Sequence, residues 1–163
     1  MDPKTRRLPK GRVKLRRASL RDLEVLVRQR QGMWTDIGGK STSKLAEESR
    51  VYRGWVRSKL KTGRVVGWVA ETNRGDIVAG GIVWLRPTVS RPGVKHLVQP
   101  FLLSMYTEPE WRVRGLASRI VDEAVNWSKK NGYAAIMLHA SPMGRRLCLR
   151  QGFKRTWEMK LEL

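Results

Sequence analysis

The stretch of this 163-residue chain that offers the most chemistry runs Met105-Tyr106-Thr107-Glu108-Pro109-Glu110-Trp111-Arg112-Val113-Arg114-Gly115-Leu116-Ala117. A β-prone apolar run gives way to a turn marked by proline, and the turn opens a segment of helical periodicity. The first N–H groups of such a helix have no intrahelical acceptor, and its dipole favours negative charge. The turn is therefore suited to a pyrophosphate. Gly115 lets the backbone approach phosphate oxygens closely. The small Ala117 keeps the helix start uncrowded, and Arg112 and Arg114 add positive charge. A second glycine-rich stretch, Gly38-Gly39-Lys40-Ser41-Thr42, lacks the first glycine of the phosphate-loop spacing and follows no strand, so it reads as a loop.

The elements that must carry these residues follow from periodicity. Residues 12–16 alternate, with Val13 and Leu15 apolar, and predict a short strand. Ser19 is placed to cap a helix running to about Gln31, with Leu20, Leu23, Val27 and Arg30 on one face. A second helix is expected over 43–60. Residues 65–71 and 77–85 are apolar, β-branched runs joined by Asn73-Arg74-Gly75-Asp76, a hairpin signal. A loop over 87–93 leads to a strand over 101–107, after Pro100. Leu116, Ala117, Ile120, Val121, Ala124 and Val125 then recur at helical spacing until Asn131-Gly132. Residues 133–138 form a continuous apolar run, expected as a buried strand, and a short helix over 142–151 ends at Gly152. Finally Trp157, Met159, Leu161 and Leu163 alternate with Thr156, Glu158, Lys160 and Glu162, the pattern of a half-buried strand.

The length suits one domain, spanning residues 12–163, behind a basic, flexible tail at 1–11. No apolar run approaches the roughly 20 residues that cross a bilayer, so no membrane span is expected. No secretory signal is evident and Cys148 is the single cysteine, which fits a cytoplasmic setting without disulfides. No metal site is expected. The chain holds 34 Lys and Arg against 14 Asp and Glu, a net charge of +20. Such a field draws polyanions: nucleic acid, anionic membrane surfaces or a phosphorylated cofactor. The seven tryptophans mostly fall on apolar stripes, so core packing is preferred over base stacking.

The hexapeptide Arg112-Val113-Arg114-Gly115-Leu116-Ala117 resembles the acetyl-CoA motif of the GNAT superfamily of N-acyltransferases, (Gln or Arg)-x-x-Gly-x-(Gly or Ala). Its setting agrees: a strand and a proline precede it, an amphipathic helix follows, and Leu138-His139-Ala140-Ser141 and Gly144 to Phe153 come at family-like distance. The order of elements from Arg12 to Leu163 is similar as well. The resemblance implies an α/β fold with a single mixed, mostly antiparallel sheet of about six to seven strands, splayed between strands 4 and 5 and flanked by about four helices.

It also implies roles. Met105, Tyr106 and Thr107 lie where the family's splayed strand uses backbone groups to hold the pantetheine arm and polarise the thioester carbonyl. The N–H groups of Val113 to Ala117 would hold the pyrophosphate. Ser141 stands where many relatives have an Asn that contacts pantetheine. Cys148 stands where many have a Tyr that protonates the leaving thiolate; a thiol can donate a proton or open an acyl-enzyme route, while a buried filler is the plainer reading. His139 would end the strand across the opening, where an imidazole is suited to accepting a proton, a structural histidine being the plainer alternative. Trp34 and Asp36, expected after the first helix, would line the acceptor pocket, against a core tryptophan and a loop aspartate.

Three function classes follow. The first is an N-acetyltransferase that moves the acetyl group of acetyl-CoA to a primary amine on a small molecule or protein. The second is a basic nucleic-acid-binding protein, weakened by the even scatter of basic residues and by the lack of a reader motif. The third is a catalytically degenerate module that binds acetyl-CoA without turnover. The alternating terminal strand adds a homodimer contact as an expectation, if it lies at a sheet edge.

Overall fold

Two long apolar runs, covered on both faces, become the middle strands of one sheet, which is why they read as continuous rather than alternating. The computed structural model describes residues 12–39 and 42–163. The tail over 1–11 lies outside the described residues, as do Lys40 and Ser41 of the second glycine-rich stretch. In chain order the elements are β1 (Val13–Arg17), α1 (Leu23–Gly38), α2 (Thr42–Lys61), β2 (Val65–Thr72), β3 (Ile77–Pro87), β4 (Val98–Thr107), α3 (Leu116–Lys130), β5 (Met137–Leu138) and α4 (Arg145–Arg150). The sheet order is β1-β2-β3-β4-β5; the first three pairings are antiparallel and β4–β5 is parallel.

One face of the sheet packs under α1 and α2, where Leu26, Val27, Tyr52 and Val56 meet Val65, Val69 and Ile82. The other packs against α3, where Leu116, Ile120, Val121 and Ala124 meet Trp68, Ala70, Val83 and Leu102. Trp68 and Trp111 are buried, Trp55 stacks on Tyr52 and meets Trp84 edge-on, and Trp127 packs against Trp68. These rings serve packing, and Trp157 is the exposed one.

The first helical region differs from expectation at both ends. A 3₁₀ turn over Leu20–Asp22 precedes α1, which leaves Leu20 exposed and puts Leu26, Val27 and Gln29 in the core. Asp22 accepts from the Ser19 N–H at 2.8 Å and from Arg16 Nη1 and Nη2 at 2.9 and 2.8 Å, tying β1 to the helix start. At the far end α1 runs through Gly32 to Gly38, and Gly39 closes it with φ +53°. Gly32 does not stop the helix because the Tyr106 ring fills the place a side chain would take: a Cβ there would stand 2.6 Å from Tyr106 Cζ. Trp34 and Asp36 therefore lie on the last turns of α1 rather than after it.

The sheet has five strands among the described residues, fewer than the six or seven expected. Of residues 133–138 only Met137–Leu138 pairs. Tyr133 stacks with Trp127 and lies tilted against His96, and Gln99 Nε2 donates to the Ala135 carbonyl at 2.7 Å in place of a ladder bond. The alternating terminal segment forms no strand: β5 offers it an edge of two residues, and Trp157, Met159 and Leu161 stay exposed. The splay between strands 4 and 5 is present, because β4 pairs with β5 at Phe101 and Leu102 and continues to Thr107 without it.

Candidate functional site

Register slips where β4 leaves β5. Leu103 pairs with Ile82 and Tyr106 with Gly80, so Ser104 and Met105 together oppose Gly81, the count of a β-bulge. Ser104 is left-handed, with φ +54°. Two glycines on β3 make room for this. A Cβ at Gly81 would overlap the Met105 sulfur on the α3 side, and one at Gly80 would overlap the Gln29 side chain on the α1 side. The bulge therefore depends on the Gly80-Gly81 pair of the neighbouring strand.

Beyond the bulge the chain turns into α3. The Glu108 N–H donates to the Val78 carbonyl at 2.9 Å, Pro109–Trp111 form a 3₁₀ turn, and the buried Trp111 anchors it. Val113 and Gly115 are both left-handed, with φ +60° and +74°, and alternating backbone handedness of this kind gathers N–H groups into an anion-binding concavity. Gly115 is the N-cap of α3, and that end has no side-chain cap. The Arg119 N–H makes the first helical bond, to the Gly115 carbonyl at 3.0 Å, so the N–H groups of Leu116, Ala117 and Ser118 precede the ladder. Nothing stands within 4 Å of a Cβ built on Gly115, which leaves the approach open. Leu116 is buried and fixes the helix start.

The two arginines of the turn are placed differently. Arg114 lies over the Trp111 ring, 4.7 Å from its centroid. Arg112 donates through Nε to the Thr107 carbonyl at 2.9 Å and through Nη2 to Asp36 Oδ2 at 2.6 Å, with the Tyr106 ring 5.4 Å away. Burial, together with the Glu108 and Asp36 charges, pushes the Tyr106 phenol up, so it stays protonated. Tyr106, Thr107, Arg112 and Asp36 thus form one contact group.

On the other side of the opening, Ser141 Oγ accepts the Gly144 N–H at 3.1 Å and shapes the turn into α4. Gln151 Nε2 donates to Ser118 Oγ at 2.6 Å and to the Ser118 carbonyl at 3.0 Å, docking the end of α4 on the first turn of α3. Cys148 sits on α4, half-buried, and burial raises its thiol pKa. His139 lies at the surface, bonded to Glu158 Oε2 at 2.7 Å and edge-on to Phe101. Trp34 lies beneath the Arg30 guanidinium, 5.4 Å from ring centroid to charge. Residues given no role from sequence also converge here: Arg30 and Tyr52 both donate to Ser104 Oγ, and Glu48 accepts from Arg30. Their signal was faint, an arginine on an apolar helix stripe and a lone serine inside an apolar strand. Among the described residues no cluster of three His, Cys, Asp or Glu is placed to hold a metal ion, and no helix is long and apolar enough to cross a membrane.

Comparison with known proteins completes this picture. The sequence profile of the acetyltransferase (GNAT) family matches residues 24–153, while no curated protein matches by sequence. Among solved structures, the chain is similar to a GCN5-related N-acetyltransferase from Ralstonia eutropha, with 27% identity and a TM-score of 0.85 over 93% of this chain and 99% of that one. It is also similar to a predicted acetyltransferase from Clostridium acetobutylicum crystallised with acetyl-CoA, with 29% identity and a TM-score of 0.81 over 93% and 96%. Glucosamine-6-phosphate N-acetyltransferase from Arabidopsis thaliana shares the fold at 16% identity, with a TM-score of 0.64 over 93% and 98%. With the family profile spanning most of the chain and the bulge and the left-handed turn before α3 in place, the protein belongs to the acetyltransferase (GNAT) family and is an acyltransferase.

Proposed function

We propose that the chain transfers the acetyl group of acetyl-CoA to a primary amine by direct attack on the thioester. The observation that carries this reading is continuity: a bulge that frees one edge of β4 and an uncapped, left-handed helix start lie on one unbroken stretch, Ser104 to Gly115. The described residues fit the donor. An open Gly115 and the N–H groups of Val113 to Ala117 suit a pyrophosphate, and the unpaired edge over Met105, Tyr106 and Thr107 suits an extended pantetheine arm.

Acetyl-CoA supplies an acyl carbonyl already activated as a thioester. Backbone groups of Met105 to Thr107 align and polarise that carbonyl, and oriented donors of this kind contribute on the order of 3 kcal/mol of barrier lowering. The Ser141 hydroxyl, which accepts one bond, retains a hydrogen to donate to the arm. Cys148 serves the leaving sulfur as proton donor: a thiol whose pKa is raised by burial is protonated near neutral pH and a poor nucleophile, which favours this role over an acyl-enzyme route. His139 takes the amine's proton through water, its Glu158 partner keeping the ring oriented. Trp34 and Asp36, on the last turns of α1, border the side from which the amine approaches. The setting is cytoplasmic.

The test is thiol release from acetyl-CoA over a panel of small amines, amino acids, aminoglycosides and protein N-termini. The reading expects an amine-dependent rate that saturates in both substrates. Tight acetyl-CoA binding with no release over the whole panel contradicts it and favours a binding module without turnover.

A further inference from the structure

Ser104 is the residue on which the β4 bulge turns, and it holds a costly conformation. A non-glycine residue at φ +54° costs about 1 to 3 kcal/mol and persists only where its surroundings over-determine it. Ser104 is buried, and two side chains from two different helices converge on its single hydroxyl. Arg30 Nη1, from α1, donates to Ser104 Oγ at 2.9 Å. Tyr52 Oη, from α2, donates to the same oxygen at 3.1 Å. A hydroxyl has two acceptor lone pairs, and these two bonds use both.

The donors are themselves fixed. Arg30 Nε bonds Glu48 Oε1 at 2.5 Å, and the guanidinium lies 4.4 Å from the Tyr52 ring centroid. Burial raises the Tyr52 pKa, so the phenol keeps its proton and remains a donor. Neither residue belongs to the phosphate turn or to the strand edge at the opening. Their shared target is the one position whose handedness decides how Met105 and Tyr106 leave the ladder.

We infer that Arg30 and Tyr52 are positioning residues: their two hydrogen bonds to Ser104 Oγ hold the left-handed bulge and so set where the Met105 to Thr107 backbone stands relative to the acyl donor. The lock is a property of the free protein, while its effect on rate rests on the acetyl-transfer reading above. Polar contacts that only add stability would leave the bulge and the turnover number unchanged while the protein is folded.

The experiment compares wild type, Tyr52→Phe, Arg30→Lys, Ser104→Gly and the double variant Tyr52→Phe with Ser104→Gly, all well below their unfolding midpoints. In the ligand-free proteins the three-bond amide–Hα coupling and backbone shifts of residue 104 report its φ. The expected result is a left-handed Ser104 in wild type and a shifted or exchange-broadened signal in Tyr52→Phe and Arg30→Lys. With acetyl-CoA and an amine identified by thiol release, kcat falls about tenfold in Tyr52→Phe while KM for acetyl-CoA changes by less than about threefold, as expected for lost alignment. Ser104→Gly restores most of the kcat lost in Tyr52→Phe, because glycine adopts positive φ without help. An unchanged Ser104 signal in both single variants overturns the lock. A shifted signal with unchanged kcat, or no rescue by Ser104→Gly, overturns its positioning role. If wild type releases no thiol with any amine, the acetyl-transfer reading fails and the coupling measurement alone decides the lock.

Discussion

Arg112 donates to Asp36 Oδ2 at 2.6 Å while its Nε holds the Thr107 carbonyl at 2.9 Å, so one guanidinium ties the end of α1 to the end of β4. The turn before α3, the proposed phosphate site, is thereby fastened to the helix that borders the proposed acceptor side. Both side chains are about a third exposed, and solvent screens the pair, so its contribution to stability is small, about 0.5 kcal/mol. Asp36→Asn should leave the unfolding midpoint nearly unchanged. It removes a negative charge beside the turn and frees Arg112, so acetyl-CoA should bind about threefold more tightly at low salt, with the gain lost near 1 M salt. Calorimetry at two ionic strengths checks this, and weaker binding in Asp36→Asn would show that Asp36 orients Arg112 toward the donor.

Gly32 and Tyr106 form a size-matched pair. A methyl group at Gly32 would stand 2.6 to 2.8 Å from Tyr106 Cζ, Cε2 and Oη, which predicts an overpacking cost of about 1 to 3 kcal/mol, partly offset by about 1 kcal/mol of helix propensity. Gly32→Ala should therefore destabilise wild type, and should stabilise a Tyr106→Ala background where the ring is gone. Urea unfolding of the four proteins decides it; equal effects in both backgrounds would mean the two residues do not press on each other.

Much of this arrangement was legible in the sequence, and the limits are instructive. The strand, turn and helix from Met105 to Ala117 depend on neighbours in sequence, so their types and spacing sufficed to place them. The full length of α1 did not follow, because the packing of the Tyr106 ring, far along the chain, on the empty side of Gly32 is a tertiary fact. The splay is what the family likeness implies, but the bulge that opens it, at Ser104, depends on Gly80-Gly81 across the ladder and on Arg30 and Tyr52 from two helices. Alternation from Thr156 to Leu163 specifies two faces and supplies no partner strand, and with β5 only Met137–Leu138 long, none is offered. The segments that carry His139, Ser141 and Cys148 follow from sequence, and the Ser141 partner Gly144 is only three residues on, whereas the Glu158 partner of His139 and the burial of Cys148 are tertiary facts.

The thiol of Cys148 has its pKa raised by burial. Its alkylation by iodoacetamide should be slow at neutral pH and rise with a midpoint above that of a free thiol. If it protonates the leaving sulfur, Cys148→Ala should lower kcat by about 10 to 100-fold while leaving the acetyl-CoA dissociation constant unchanged. Rapid alkylation at pH 7 would instead identify a thiolate and reopen the acyl-enzyme route.

The pH dependence of stability has two named limbs. Burial works to raise the Asp22 pKa, but hydrogen bonds from Arg16 and Ser19 and the Arg16 charge outweigh it, and the folded value lies below the ordinary one. A depressed carboxylate contributes stability above its unfolded pKa and loses it as pH falls through the folded value. Tyr52 is raised by burial, so its contribution is complete below the unfolded pKa near ~10 and is lost as pH rises through the folded value. Asp22→Asn should cost about 2 kcal/mol at neutral pH and flatten the acid limb, and Tyr52→Phe should flatten the alkaline one. Unfolding free energies measured from pH 3 to 11 check both; an acid limb of unchanged slope in Asp22→Asn would assign it to other carboxylates.

The central claim is that the turn at Gly115 holds the acyl donor, and calorimetry tests it most directly, with acetyl-CoA, CoA and an inorganic polyphosphate titrated into wild type and Gly115→Val at moderate salt. The account predicts that both CoA species bind far more tightly than polyphosphate. It also predicts at least a tenfold loss in Gly115→Val, whose β-branched side chain strains the left-handed cap and crowds the open approach. Equal affinity for CoA and polyphosphate, or binding untouched by Gly115→Val in a folded protein, would contradict it and leave the charge of +20 as the source of attraction.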